Sequence, residues 1–113
     1  MARTNYQRGR EFEYRTRKRM TEMGAAYIMR AASSKGAADL IALWPLTMDC
    51  VYDGQVWLVQ CKMDGRLPKK EREELLRLSS LTGARAVMSH KNKRGRLIFK
   101  DIATNNAILQ IVD

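Results

Sequence analysis

The chain carries 113 residues, room for one domain with a modest core, and at 45% hydrophobic and 29% charged its composition is globular rather than disordered. Its 21 Lys and Arg against 12 Asp and Glu leave a net charge of +9, which favours a polyanionic partner, nucleic acid first, through release of condensed counterions. No apolar run approaches the roughly 20 residues of a bilayer span, the first residues carry no apolar signal core, and Cys50 and Cys61 are too few for a disulfide framework and lack zinc spacing.

The expectation is therefore a single domain over 1–113, intracellular and reduced, with no membrane and no small-molecule cofactor. Charge is uneven along it: +5 over residues 1–30, −2 over 31–61 and +7 over 62–101. Two basic flanks enclose an acidic, apolar middle. A module that only grips phosphates has no use for central carboxylates, whereas a site for a divalent cation does.

Gln7 to Met23 reads as the first helix, with Phe12, Thr16, Met20 and Met23 recurring at helical spacing and Gly24 closing it. At 100° per residue, Glu13 falls roughly 65° from the centre of that stripe, at the edge of the buried face, where Arg17 at i+4 offers it a surface partner. Ala26 to Arg30 reads as a short strand, followed by the small polar connection 31–36. Ala38 to Trp44 is a second strand with Asp39 near its start, ended by Pro45.

Residues 46–54 form a loop with turn chemistry at Asp53-Gly54, and Gln55 to Lys62 is a third strand. Lys69 to Thr82 reads as the second helix, with Leu75, Leu78, Ser79 and Thr82 on one face. Ala84 to Ser89 and Arg96 to Ile102 are strands joined by a very basic turn, His90 to Gly95. The apolar tail Ala107 to Val112 fits a strand or a short helix. The order is α-β-β-β-α-β-β, an α/β domain with a mixed sheet flanked by helices.

Side chains two apart on a strand share a face, so Gln60 and Lys62 point the same way. If the second and third strands form a hairpin, Asp39 approaches that pair, and the first helix adds Glu13. Carboxylates, an amide oxygen and an ammonium group form a set that suits a hard divalent cation retaining several waters. Such an ion beside a phosphodiester polarises it and acidifies a water. Spacing alone leaves open a non-catalytic, basic nucleic-acid-binding protein. With a single histidine, His90, a nuclease with two His metal ligands is excluded. Trp44 and Trp57 read as core or interface residues, the methionines as core filler.

Arg8-Gly9-Arg10-Glu11-Phe12-Glu13, then Arg30-Ala31-Ala32-Ser33-Ser34-Lys35-Gly36-Ala37-Ala38-Asp39-Leu40-Ile41, then Leu58-Val59-Gln60-Cys61-Lys62, resemble the PD-(D/E)xK nuclease superfamily, and within it the archaeal-type Holliday junction resolvases, over about residues 6–102. The resemblance implies a restriction-endonuclease-like fold and a metal-dependent, homodimeric endonuclease that resolves four-way DNA junctions, in the cytoplasm of a prokaryote or encoded by a virus infecting one. It implies Mg²⁺ (or Mn²⁺) held by Asp39, Glu13, Gln60 and the backbone carbonyl of Cys61, with Lys62 as the reacting lysine and Ser34 near the scissile phosphate. Arg8, Arg10, Arg30, Lys35, Lys69, Lys70, Lys91, Lys93 and Arg94 are the candidate DNA contacts. Leu75, Leu78 and the tail 108–112 are candidate dimer contacts. Two departures stand out: Gln60 replaces the usual Glu, removing one negative charge, and Ala38 stands where the motif's proline would be. Cleavage of flapped, nicked or plain duplex DNA is the alternative within the same fold.

Overall fold

The computed structural model describes residues 3–31 and 36–111. Seven elements follow in the expected order: α1 (Asn5–Glu22), β1 (Tyr27–Arg30), β2 (Leu40–Leu43), β3 (Val56–Cys61), α2 (Lys69–Thr82), β4 (Arg85–Lys91) and β5 (Leu97–Asp101). No helix among the described residues is long and apolar enough to cross a membrane.

The strands lie in one sheet in sequence order, β1-β2-β3-β4-β5. Every neighbouring pair is antiparallel except β3–β4. A parallel pair cannot be closed by a tight turn, and α2 supplies the crossover. The β2–β3 hairpin, the condition on which Asp39 approaches the end of β3, does form, pairing Leu40 with Val59 and Leu43 with Val56.

Helix α1 begins in a capping box: the Thr4 side chain accepts from the Gln7 backbone N–H, and the Gln7 side chain accepts from the Thr4 N–H. Its expected stripe is the buried one, since Phe12, Thr16, Met20 and Met23 all lie in the interior. They pack on the sheet face carrying Leu40, Ala42, Trp57, Val59, Val87, Leu97 and Phe99. Trp44, Tyr52, Trp57 and Phe99 form an aromatic chain there, with ring centroids 4.6 to 5.8 Å apart, so both tryptophans are core residues. The opposite face, with Leu58, Ala86 and Met88, is covered by Leu75 of α2 and by Ile102. Because β3 is buried on both sides it reads as a continuous apolar run rather than an alternation.

Two expectations for the second half need correction. Leu75 is fully buried and Ile108 nearly so; each completes a core within this chain, so neither is available as a dimer contact, and Val112 lies outside the described residues. Over its described residues, 107–111, the tail is neither a strand nor a helix. A single bridge, Ala107 to Lys100, and the bonds Ile108 N–H to Phe99 O and Gln110 Nε2 to Leu97 O pin it along β5.

Candidate active site

Asp39 sits one residue before β2, where the hairpin register sets it beside the end of β3. Its N–H donates to Val59 O at 2.8 Å, and its carboxylate accepts the Cys61 N–H at 2.8 Å. The next residue, Lys62, is held through its backbone: Lys62 N–H donates to Ser89 O at 2.9 Å, and Lys62 O accepts from Gly65 N–H at 2.8 Å. Gly65 turns the chain with φ +76, a conformation that penalises a side chain, and a Cβ there would touch the His90 ring at 3.6 Å. The end of β3 is thus fixed by the ladder on one side and a tight turn on the other.

Asp39 and Lys62 open into a cleft of about 490 Å³ whose wall also includes Tyr6, Arg10, Glu13, Arg30, Ala31 and Cys61. Glu13 is paired with Arg30 across the cleft, not with Arg17. Arg10 donates to the Tyr6 hydroxyl at 3.2 Å. A larger groove of about 620 Å³, between the C-terminal half of α1 and β1, contains Glu22 as its lone carboxylate and none of the expected site residues.

Burial raises the Asp39 carboxyl above its ordinary value of 3.8, against the pull of the Cys61 N–H and the Lys62 charge, and the neighbouring charges of Glu13 and Glu71 push it further up. A half-buried carboxylate with one backbone donor and two acidic neighbours is an environment that a cation relieves. The Cys61 thiol, by contrast, is pushed up to about 12 by burial, with Ser89 and Thr16 as its polar neighbours, and is inert as a nucleophile.

Gln60 does not stand on the cleft wall. It is 2% exposed, and its Nε2 donates to Ala37 O at 2.6 Å, tying β3 to the segment before Asp39. Ser34 and Lys35 lie outside the described residues. Arg8 and Lys91 line a second basic cleft with Arg15 and Met63, next to the first along α1. Lys69 and Lys70 are exposed at the start of α2, and Lys93 and Arg94 at the β4–β5 turn, whose shape is set by the Asn92 side chain accepting from Arg94 and Arg96.

One residue near the site went unremarked in the sequence. Glu71, in the first turn of α2, accepts from Lys62 Nζ at 3.2 Å. Among Lys69-Lys70-Glu71-Arg72-Glu73-Glu74 no local signal separates it from an ordinary charge placed well for the helix dipole.

Among the described residues, no three His, Cys, Asp or Glu side chains gather closely enough to hold a metal by themselves. The donors at the cleft instead match a hydrated Mg²⁺ or Mn²⁺, which takes one or two carboxylates and keeps most of its waters. Asp39 and Glu13 offer the carboxylates, and the Cys61 backbone lies at the same wall.

No protein-family model matches the chain, and no curated protein matches it in sequence. Its fold is that of solved structures, among them the 1.6 Å structure of Archaeoglobus fulgidus Hjc, a Holliday junction resolvase from an archaeal hyperthermophile. The two agree with a TM-score of 0.63 over 85% of this chain and 74% of that one, at 22% identity. The restriction-endonuclease-like α/β architecture expected from the sequence is therefore the one observed.

Proposed function

We propose that the protein is a divalent-metal-dependent DNA endonuclease acting on four-way junctions. The observation that carries this reading is the cleft at the end of β3. There a carboxylate held above its ordinary pKa by burial, Asp39, meets an anchored ammonium group, Lys62, beside two arginines.

In this reading Asp39, Glu13 and the Cys61 carbonyl hold a hydrated Mg²⁺, or Mn²⁺ in its place. The chemistry that ion supplies is polarisation of the phosphoryl oxygen and a lowered pKa for a water. Arg10 and Arg30 bind phosphate oxygens of the strand to be cut, and a phosphate arriving at Arg30 releases Glu13 from its ion pair. Lys62 orients the attacking water and neutralises charge that builds in the transition state. Gln60, buried behind the cleft, serves as a neutral brace for the Asp39 segment. Arg8, Lys91, Lys93, Arg94, Lys69 and Lys70 contact the DNA backbone away from the cut, reading charge and shape rather than bases.

Two symmetric incisions need two such sites, and a two-fold dimer provides them. The exposed residues Tyr27, Met29 and Leu43 support this. Tyr27 pairs with Leu43 and Met29 with Ile41, so they extend the sheet face that α2 covers only over β3 and β4. We place the second copy there. Sedimentation of Met29→Glu as a monomer alongside a dimeric wild type is the expected result.

A second reading, a branched-DNA-binding protein that does not cut, is favoured by the amide at position 60. The experiment that decides between them is digestion of a synthetic four-way junction and a sequence-matched duplex with Mg²⁺. The proposal expects paired nicks in the junction and at least tenfold slower cutting of the duplex. Equal cutting of both removes the junction preference, and no cutting of either leaves the binding protein.

A further inference from the structure

Lys62 does not enter the cleft unaccompanied. Its ammonium group is held by Glu71 Oε1, while Glu71 Oε2 is buried and has no hydrogen-bond partner among the described residues. The pair spans only nine positions, but its geometry comes from the fold: the Gly65 turn reverses the chain after β3, and α2 starts with Arg72 N–H on Pro68 O, which brings its first turn back over the strand end. Both side chains are partly sheltered, at 27% and 38% exposure. The Glu71 charge is also felt by Asp39. Position 60, whose side chain shares a strand face with Lys62, is meanwhile neutral and occupied in bracing Ala37.

We propose that Glu71 is a positioning residue of this site, holding the Lys62 ammonium at the cleft from the first turn of α2. The inference rests on the nuclease reading above. Its alternative is that Glu71 only stabilises the start of α2, where any acid is favourable. The two differ in whether the effect of Glu71 passes through Lys62. A positioning acid has nothing left to hold once Lys62 is alanine, whereas a helix-terminus acid contributes the same with or without that ammonium.

The test compares wild type, Glu71→Gln, Glu71→Asp, Lys62→Ala and the double variant Lys62→Ala/Glu71→Gln. Each is assayed for single-turnover junction cleavage in Mg²⁺, for junction Kd in EDTA and for melting temperature. Glu71→Gln is expected to lower the cleavage rate about 10- to 100-fold. Its junction Kd should stay unchanged or tighten, because a negative charge has left a phosphate-binding cleft, and its melting temperature should fall by no more than a few degrees. Glu71→Asp is expected to recover part of the rate, and the double variant to cut no more slowly than Lys62→Ala alone. A Glu71→Gln protein that cuts at the wild-type rate overturns the proposal. So does a loss that tracks a lowered melting temperature and is not recovered by Glu71→Asp. A wild type that cuts no DNA removes the nuclease reading and this inference with it, whereas a cutting wild type with an indifferent Glu71→Gln removes this inference alone.

Discussion

Two aspartates mark opposite ends of the sheet, and the fold treats them in opposite ways. Asp101, at the end of β5, pairs with Arg85 Nε at 2.6 Å and accepts the Thr104 N–H at 3.1 Å. Burial would raise its carboxyl, but Arg85 and the backbone donors of Thr104 and Ala103 outweigh it and hold the group below its ordinary value. Asp39, at the other end, receives one backbone donor and is shifted upward, burial being the main cause. A carboxylate that the chain itself satisfies is structural. One that the chain buries but leaves short of positive charge is suited to a cation from solution.

This contrast makes separable predictions. The largest effect belongs to the cleft: Lys62→Ala should lower junction cleavage by about 10³-fold, the scale of losing a charge-stabilising group with a role in proton transfer. Junction binding in EDTA should change no more than a few-fold, since one ammonium among many basic groups is lost. At the other end, Arg85→Ala strands a buried carboxylate and should cost about 2–3 kcal/mol, on the order of 10 °C in melting temperature. Cleavage by the folded fraction should be unaffected.

Smaller effects come from the acids themselves. Because the Asp101 carboxyl is depressed, its contribution to stability is complete above the ordinary value of 3.8 and is lost as pH falls below it. Asp39 has the reverse sign. Its raised carboxyl means the fold binds the proton more tightly than the unfolded chain does, so the metal-free protein loses stability as pH rises from 3.8 through the folded value. Melting in EDTA should therefore show Asp39→Asn somewhat more stable than wild type at pH 7, with the difference shrinking toward pH 4. Asp101→Asn should be the less stable of the two throughout, with a shallower acid transition. Equal behaviour of both variants would erase the distinction between the two ends.

The sequence made the near-neighbour part of this legible. The stripe Phe12, Thr16, Met20 and Met23 fixed which side of α1 is buried, and strand parity with a β2–β3 hairpin was enough to bring Asp39 to the end of β3. What it could not show depended on which element covers which face. Leu75 and Leu78 are alike as a periodic pattern, yet only Leu75 meets the sheet squarely. Glu13 had a ready local partner in Arg17, but β1 brings Arg30 to it instead. Gln60 shares a strand face with Lys62, but β3 ends between them. The amide is caught in the β2–β3 packing, while the lysine follows the turn out to Glu71.

In the proposed reading, the acid before β2 makes this cleft a metal-dependent nuclease site. Its most direct test is Mg²⁺-dependent cleavage of a labelled four-way junction by wild type and Asp39→Asn at equal concentration, with binding of the same junction measured in EDTA. Expected are cleavage by wild type, abolished by EDTA, and a loss of at least about 10³-fold in Asp39→Asn with junction affinity retained. Cleavage at a comparable rate by Asp39→Asn, or cutting by wild type that persists in EDTA, would contradict it.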